Sequence, residues 1–400
     1  ERNEEIILLC YIHYGKEFLN HFNGGFVIII DNQKELFVAR DQLGIIPLYY
    51  TFSNHTLVIS NEIKCLLAYL KKAVVDKQGL IELLSLGPSM TPGTTIYKDI
   101  YSLRPGFYMT YQKELELYCY WRLKEKTHTD TLSQTIQKVR CLIENNIKLQ
   151  IQNENTFSTM LSGGLDSSII TAIIANTHQP LDTYSITYQD QDKYFQSYDY
   201  QTSMDDNYIQ QMVNLYKTNH HVCTLTQQQL NDSLKDALIA RDMPGMADID
   251  SSFLLFSKFI NQKHTIAFSG ECADEIFGGY PWFYKEELYN QPYFPWMREL
   301  DKKLELFNKN IQNLQLKDHI QKKYQESLQE SMTANKNQQL IYLNIQWFMQ
   351  TLLTRAYTQS LYSSLDIRVP FASVEIVEYL YNMPRDFMFY NKEEKGILRR

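Results

Sequence analysis

A serine- and glycine-rich string near the middle of the chain has the residue types of an anion-binding turn. It reads Ser162-Gly163-Gly164-Leu165-Asp166-Ser167-Ser168. Apolar residues precede it at 157–161 and follow it at 169–172, a pattern that predicts a strand, a tight turn and a helix. The two glycines allow positive φ and close backbone approach, so successive N–H groups can point at one anion. The helix N-terminus adds unpaired donors, which favours a phosphate group at this turn.

An acidic residue, Asp166, lies within this otherwise anion-binding string. A carboxylate among phosphate-binding donors has a role if it holds a cation, and Mg²⁺ bridging a pyrophosphate fits that role. The alternative is an ordinary β–α turn in which Asp166 and its serine neighbours only cap the helix. The string has no Gly-Lys-Ser/Thr, so it is not a Walker loop. It resembles the pyrophosphate loop of ATP-pyrophosphatases, which cleave ATP between the α and β phosphates.

A second turn follows the apolar segment 265–269 and carries three carboxylates. It begins Ser269-Gly270-Glu271-Cys272-Ala273-Asp274-Glu275. The spacing of three and four residues would allow all three acids to share one helical face. Beside a phosphate site they would repel one another unless a cation or an ammonium species lay among them. The alternative is that these acids only interact with the dipole at a helix N-terminus.

Together the two strings resemble the glutamine-hydrolysing asparagine synthetase family, and further segments extend the resemblance over essentially the whole chain. Segment 242–252 is similar to the substrate-side loop of the family. The other similar segments are 23–26, 39–41, 43–44, 47–50, 60–64, 366–371 and 392–399.

The resemblance implies that ATP and aspartate give β-aspartyl-AMP and pyrophosphate, and that ammonia then displaces AMP. In the full-length protein glutamine supplies the nitrogen. Glu271 is the expected base that removes a proton from the tetrahedral intermediate. Lys395 is expected to neutralise the α-phosphate or the developing oxyanion, although its spacing alone fits a solvated lysine equally well. Arg368 either binds a carboxylate or holds the helical region together.

The same resemblance implies a nucleotide site with Mg²⁺ as the metal ion. Asp166 and Asp274 are the expected metal ligands, and Leu161 and Ile186 are expected to line the adenine site. The full set of expected nucleotide-binding residues is Leu161, Ser162, Gly163, Gly164, Asp166, Ser167, Ser168, Ile186, Ser269 and Gly270.

The chain also departs from the family pattern. Family glutaminase domains use an N-terminal cysteine as nucleophile, whereas this chain begins inside that domain, with Asn3 where the family has an aspartate that binds glutamine. We therefore expect a fragment truncated at both ends, and either glutamine or ammonia remains open as nitrogen donor. Thr358 and Gln359 replace a family Asp-Arg pair. Two alternatives to an asparagine synthetase remain, the second of them suggested by this replacement. One is a β-lactam synthetase-like or other amide-forming relative, in which a tyrosine stands in place of Glu271. The other is a catalytically weak nucleotide-binding relative.

The order of apolar segments predicts an α/β protein of two domains, because 400 residues exceed one hydrophobic core. A helix at 4–14 followed by hairpins at 26–39, 48–60 and 106–120 predicts antiparallel sheets. Residues 1–121 are expected to form an incomplete glutaminase-type αββα sandwich. Strands alternate with helices from 132 onward, which predicts a parallel sheet flanked by helices in an ATP-pyrophosphatase domain over 122–400.

Composition excludes several other classes of function. A net charge of -7 argues against a nucleic-acid partner. No apolar run approaches the ~20 residues of a membrane-spanning helix. The six cysteines are scattered, which is typical of reduced thiols in the cytoplasm. The family resemblance, and not the composition, implies aspartate with glutamine or ammonia as partners, and a homodimer is compatible with the sequence.

Overall fold

Two antiparallel sheets form the first part of the chain. The structure is a computed structural model that describes residues 3–53, 55–152, 154–195, 205–297 and 299–400. The first sheet has the order β1-β2-β6-β7 and the second the order β4-β3-β5. The strands are β1 (Val27–Asp31), β2 (Leu36–Arg40), β3 (Tyr49–Ser53), β4 (Thr56–Ser60), β5 (Tyr101–Ser102), β6 (Phe107–Tyr111) and β7 (Leu115–Cys119).

Helices cover the outer faces of both sheets. Buried Val38 and Met109 lie between the sheets, Phe37 faces the first helix, and Ile63 and Leu66 pack on the second sheet. This layering agrees with the expected αββα sandwich, and the three predicted hairpins are present. The helices are α1 (Asn3–Tyr14), α2 (Ile63–Leu70) and α3 (Lys77–Leu86), with a 3-10 segment at Gly15–His21.

A five-stranded parallel sheet organises the second part of the chain, as the alternation of strands and helices predicted. Its order is β10-β9-β8-β11-β12. The carboxyl ends of β8 and β11 are adjacent, so the loops that leave them meet at one edge of the sheet, where open α/β sheets bind ligands. The strands are β8 (Ser158–Met160), β9 (Asp182–Tyr188), β10 (Asn219–Leu225), β11 (Ile266–Phe268) and β12 (Asp366–Arg368).

Helices pack on both faces of this sheet and form a large helical region behind it. Val139, Ile170 and Phe268 belong to the core on one face, whereas Tyr184 and Phe256 belong to the core on the other. The helices are α4 (Leu132–Ile151), α5 (Leu165–Ala175), α6 (Gln191–Tyr194), α7 (Asp206–Tyr216), α8 (Gln227–Arg241), α9 (Asp248–Asn261), α10 (Ala273–Phe277), α11 (Glu286–Tyr289), α12 (Leu300–Glu305), α13 (Lys309–Gln312), α14 (Leu316–Glu330), α15 (Lys336–Leu343), α16 (Met349–Tyr362), α17 (Val374–Tyr381) and α18 (Arg385–Met388). A π-helical segment, Asn344–Phe348, joins α15 to α16, and 3-10 turns lie at Pro281–Phe283 and Tyr390–Lys392.

One local expectation differs from the structure, and one open alternative receives a structural answer. Half of the segment 242–252 is not a loop, because α9 begins at Asp248. Arg368, whose role was open, holds strand β12 to the end of α4. Its Nη2 lies 2.5 Å from Glu154 Oε1, and its Nη1 donates to the Gln150 carbonyl.

Candidate active site

The loop after β8 forms a tight turn into α5. Gly163 has φ +79°, and a Cβ at this position would lie 2.8 Å from the Asp205 carbonyl oxygen. Ser162 donates its backbone N–H to Ser167 Oγ at 3.2 Å, which fixes the turn from within. Gly164 precedes α5 without a side-chain cap, so the first N–H groups of that helix are not taken by a capping side chain. The sequence predicts that these backbone N–H groups bind a phosphate.

The loop after β11 packs directly against this turn. A Cβ on Gly270 would lie 3.0 Å from Ser167 N and 3.1 Å from Asp166 Cβ, so a larger residue would separate the loops. Ser269 donates its backbone N–H to the Arg368 carbonyl at 2.9 Å, and its hydroxyl accepts the Glu271 N–H at 3.3 Å. Because β8 pairs with β11, two strings that begin 107 residues apart, at Ser162 and Ser269, become one surface.

A cavity of about 120 Å³ opens beside the first loop. Leu161, Ser162 and Ile186 line it together with Tyr184 and Ile209. Apolar side chains at the ends of β8 and β9 form part of its wall, and polar residues, Asp205 and Asp206 among them, form the rest. Such a combination of apolar walls and a few polar groups is typical of a small-molecule site. The structure therefore brings the two residues expected at the adenine next to the first serine of the turn.

Lys395 connects the two loops. Its Nζ lies 2.5 Å from Asp166 Oδ2 and 2.6 Å from Asp274 Oδ1, and the lysine is buried. Burial raises the pKa of Asp166 to about 6, with a further rise from Asp274, although Lys395 opposes both. Although burial disfavours its charge, the two carboxylates raise the pKa of Lys395. Two carboxyl groups therefore share a single ammonium group where the two loops meet.

This carboxylate pair also fits a magnesium ion. Asp166 Oδ1 is buried without a hydrogen-bond partner in the described structure, and both carboxylates already converge on one cationic atom. Among the described residues no group of three His, Cys, Asp or Glu side chains is placed to hold a metal. Mg²⁺ is commonly bound by one or two carboxylates together with substrate phosphates and water. The donor set is therefore suited to a metal that arrives with a nucleotide.

Glu271 points to a different partner. Its Oε1 lies 2.5 Å from Arg355 Nη2, and its Oε2 is buried without a partner in the described structure. Arg355, on α16, is 9% exposed and also covers the ring of Phe253 at 5.3 Å. A carboxylate held at one oxygen by a buried guanidinium is oriented and keeps its second oxygen for another contact.

The three acids of the second loop do not share one helical face, contrary to the spacing argument. Cys272 has φ +75°, so the helix α10 begins only at residue 273 and Glu271 lies before it. Glu275 instead accepts a hydrogen bond from the Tyr280 hydroxyl at 2.6 Å. Burial, reinforced by the charge of Asp274, raises the pKa of Glu275 to about 8. The three carboxylates therefore have separate partners: Arg355 for Glu271, Lys395 for Asp274 and Tyr280 for Glu275.

Comparison with known proteins agrees with this arrangement of loops. The sequence model described as asparagine synthase matches residues 138–400, and the one described as glutamine amidotransferase domain matches residues 2–121. The chain belongs to the asparagine synthase family. The match covers both loops, Arg355 and Lys395.

Three relatives illustrate the range of similarity within the asparagine synthase family. The chain is 41% identical to asparagine synthetase (glutamine-hydrolyzing) 3 of Bacillus subtilis (strain 168), over 99% of this chain and 67% of that protein. It is 25% identical to asparagine synthetase (glutamine-hydrolyzing) 1 of the same organism, over 100% of this chain and 68% of that protein. It is also 25% identical to asparagine synthetase B of Escherichia coli (strain K12), over 70% of this chain and 48% of that protein.

The departure at Thr358 and Gln359 lies one turn beyond Arg355 on α16. Thr358 donates to the Thr354 carbonyl of its own helix at 2.8 Å, and Gln359 donates to the Ala237 carbonyl at 2.9 Å. Both side chains are buried and serve helix packing. In this member of the asparagine synthase family, the side chain of α16 that contacts Glu271 is Arg355.

Sequence reasoning missed three residues of the site. Arg355 precedes the departure at Thr358 and Gln359, and no local spacing relates it to Glu271. Gly278, Gly279 and Tyr280 follow the second loop directly. Gly278 has φ +72°, and a Cβ on Gly279 would lie 1.7 Å from Asp274 Oδ1 and 2.3 Å from Lys395 Cε, so both positions of this glycine pair require glycine. That pair was the available signal.

Two further features concern membrane-spanning segments and the cysteines. None of the helices in the described part of the chain is long and apolar enough to cross a membrane. The six cysteines are all free thiols.

Proposed function

We propose that this chain catalyses the ATP-dependent amidation of aspartate to asparagine through a β-aspartyl-AMP intermediate, with release of AMP and pyrophosphate. One observation carries the proposal. The glycine turn after β8 and the acidic loop after β11 meet, so that Asp166 and Asp274 share Lys395 while Glu271 lies on the same loop. A nucleotide site and a candidate base are thus joined within one surface.

The turn at residues 162–168 would bind the β and γ phosphates through its backbone N–H groups and serine hydroxyls. Adenine would occupy the cavity between Leu161 and Ile186. The acceptor carboxylate would then face the α-phosphate. Negative charge builds on the leaving pyrophosphate, and donors already fixed at the turn stabilise it without reorganisation.

Lys395 would neutralise charge on the α-phosphate at the moment of attack. Its ammonium is fixed by two carboxylates, so little motion is needed to reach an incoming phosphate oxygen. Asp166 and Asp274 would hold Mg²⁺, which supplies charge neutralisation to the pyrophosphate. Lys395 would then donate its hydrogen bonds to phosphate oxygens in place of these carboxylates.

Glu271 would act in the second half of the reaction. Ammonia attacks the acyl carbon, and one proton must leave the nitrogen before the C–O bond to AMP breaks. Glu271 Oε2 is the acceptor without another partner, so it is suited to take that proton. We assign residues 1–121 and 122–400 to separate domains, glutaminase-type and ATP-pyrophosphatase, with glutamine as nitrogen source in the full-length protein.

A second candidate is amide formation on another acid, as in β-lactam synthetase-like relatives. The presence of Glu271 and not a tyrosine at that position favours aspartate as acceptor and ammonia as nucleophile.

The test is product stoichiometry. With ATP, aspartate, Mg²⁺ and ammonium, the chain should form asparagine and AMP in equal amounts. Formation of ADP and phosphate would contradict cleavage at the α-phosphate. AMP formation with another acid, but not with aspartate, would favour the second candidate.

A further inference from the structure

Arg355 has more donors than partners. Its Nη2 contacts one oxygen of Glu271 at 2.5 Å, and its Nη1 lies 3.7 Å from the sulfur of Met246. Its Nε is buried and has no hydrogen-bond partner in the described structure. A guanidinium presents Nε and Nη2 as a parallel fork that matches both oxygens of a carboxylate. In Arg355 only Nη2 of this pair of donors contacts a carboxylate oxygen.

Glu271 shows the complementary deficit. Only Oε1 touches Arg355, while Oε2 is buried and without a partner in the described structure. The side chains of Glu271 and Arg355 are 15% and 11% exposed. A carboxylate oxygen that accepts a short hydrogen bond from a guanidinium is already engaged in a strong contact. The ion pair therefore occupies one oxygen of the candidate base before any acceptor is present.

We propose that Arg355 binds the unreacted carboxylate of the acceptor, and that this carboxylate displaces Glu271 from the guanidinium and frees it to act as the base. The inference rests on the proposed function and adds the residue that recognises the acceptor as a dicarboxylic acid. One acceptor carboxylate attacks ATP, and the other completes the fork at Nε and Nη2. The base becomes available only when an acceptor is present.

Two other buried cations near the loops are less suited to this role. Lys395 is held by Asp166 and Asp274 at the phosphate side of the site. Arg241, the last residue of α8, is 2% exposed and pairs at 3.4 Å with Asp250 in the first turn of α9. Arg355 is the one of these three that touches the candidate base. Its neighbour Met246 belongs to segment 242–252, which is expected on the substrate side, and Phe253 follows that segment directly.

The first experiment uses ATP–pyrophosphate exchange, which reports acceptor activation without the ammonia step. Aspartate is compared with aspartic acid 1-amide, which keeps the reacting carboxylate and lacks the other one. Arg355→Lys keeps the charge and loses the fork. It should raise KM for aspartate by about 10- to 100-fold, the worth of a charged hydrogen-bonded contact. KM for the 1-amide and for ATP should change less than about twofold.

Arg368→Lys is the matched control, because Arg368 is also a partly buried arginine in an ion pair, with Glu154. Arg368→Lys should leave the ratio of KM for aspartate to KM for the 1-amide unchanged. Equal losses with aspartate and its 1-amide in Arg355→Lys would overturn the inference, since a merely structural arginine would affect both acceptors alike.

A second variant leaves Arg355 intact. Glu271→Gln removes the competing carboxylate, so KM for aspartate in the exchange reaction should fall several-fold. An unchanged or raised KM would contradict displacement. Calorimetric binding of aspartate and of its 1-amide, in the presence of a non-hydrolysable α,β-methylene ATP, repeats both comparisons without turnover. A chain that binds aspartate through Arg355 but exchanges no pyrophosphate would contradict the proposed function and leave the inference standing.

Discussion

Glu271 illustrates how much depends on a single side chain. Its backbone is fixed by the Ser269 hydroxyl and its carboxylate by Arg355, so it is positioned before any substrate arrives. Asp274 and Glu275, three and four residues later, have different partners, Lys395 and the Tyr280 hydroxyl. The proposed function assigns Lys395 and Asp274 to the phosphate and Glu271 to the nitrogen, so the two half-reactions depend on different side chains.

Glu271→Gln should separate the half-reactions experimentally. The variant keeps the shape of the side chain but cannot accept the proton, so asparagine formation should fall about 10²- to 10⁴-fold. Aspartate-dependent ATP–pyrophosphate exchange should retain a maximal rate near that of the unaltered chain. Glu144→Gln is the control, since Glu144 lies on the exposed face of α4. Equal loss of both half-reactions would make Glu271 a structural or metal-binding residue.

At the scale of the elements, the site depends on turns that only certain residues can form. Gly163 has φ +79°, whereas Gly164 has φ −69° and ψ 162° and lies in the ordinary extended region. An added Cβ at Gly163 would meet the Asp205 carbonyl oxygen at 2.8 Å, whereas an added Cβ at Gly164 would lie 3.3 Å from Ser162 Oγ. Neighbouring glycines thus have different backbone requirements.

The prediction is a difference in stability between two alanine variants. Gly163→Ala should lower the free energy of unfolding by about 1–2 kcal/mol, the cost of a left-handed residue with a Cβ. Gly164→Ala should change it by less than about 0.5 kcal/mol. Urea denaturation of both variants provides the measurement. The same loss in both would mean that positive φ is not what the turn requires.

Asp182 lies at the start of β9, where the amino ends of the parallel strands meet, and it stabilises that end of the sheet. Its Oδ2 accepts from Lys263 Nζ at 2.6 Å and from His264 Nε2 at 2.7 Å. Burial alone would raise its pKa, but these hydrogen bonds hold the pKa of Asp182 well below its usual value. Because the folded pKa is lower than the unfolded one, the stabilisation is present above pH ~4 and is lost as the pH falls below it.

Asp182→Asn should therefore lower the free energy of unfolding by about 1–3 kcal/mol at pH 7, the worth of hydrogen bonds to a charged group. The difference from the unaltered chain should shrink at pH 3. Urea midpoints at the two pH values test this, with Asp301→Asn as an exposed control. A difference that is constant or larger at pH 3 would contradict the assignment of the stabilisation to the charged carboxylate.

At the scale of the whole molecule, the two parts of the chain meet close to the site. Lys64, at the start of α2, lies 3.2 Å from Asp242 Oδ1, and the Tyr97 hydroxyl donates to the Asp242 carbonyl at 2.7 Å. Gln350 on α16 donates to the Leu43 carbonyl at 2.6 Å. These contacts join the antiparallel sheets to the segment that leads into α9 and to the helix that carries Arg355.

Lys64→Met should weaken this junction. Asp242 has a side chain that is 5% exposed, so loss of its cationic partner should destabilise the chain by about 1–3 kcal/mol. Lys126→Met removes the more exposed pair with Glu378 and should cost at most about 1 kcal/mol. Thermal unfolding followed by tryptophan fluorescence compares the two. Equal losses of stability in the two variants would mean that the Asp242 carboxylate is exposed to solvent, which would contradict its burial in the structure.

The sequence predicts the parts of the site that are local. Each glycine turn, with its serines and acids, is encoded within about seven residues, so strand, turn and helix could be read directly. The ion pair of Arg355 with Glu271 spans 84 residues, and Lys395 lies 229 residues from Asp166. Such contacts depend on sheet order and helix packing. Lys395 was found only through the family resemblance, and the helix at residue 248 was hidden within a motif treated as a loop.

The central claim is that the two apposed loops activate the aspartate carboxylate as an adenylate. Aspartate-dependent exchange of labelled pyrophosphate into ATP, in the presence of Mg²⁺ and without ammonia or glutamine, tests it most directly. The account predicts that label enters ATP when aspartate is added and that Lys395→Met reduces this exchange at least about 100-fold. Exchange that is absent with aspartate, or that proceeds equally without any acid, would contradict it.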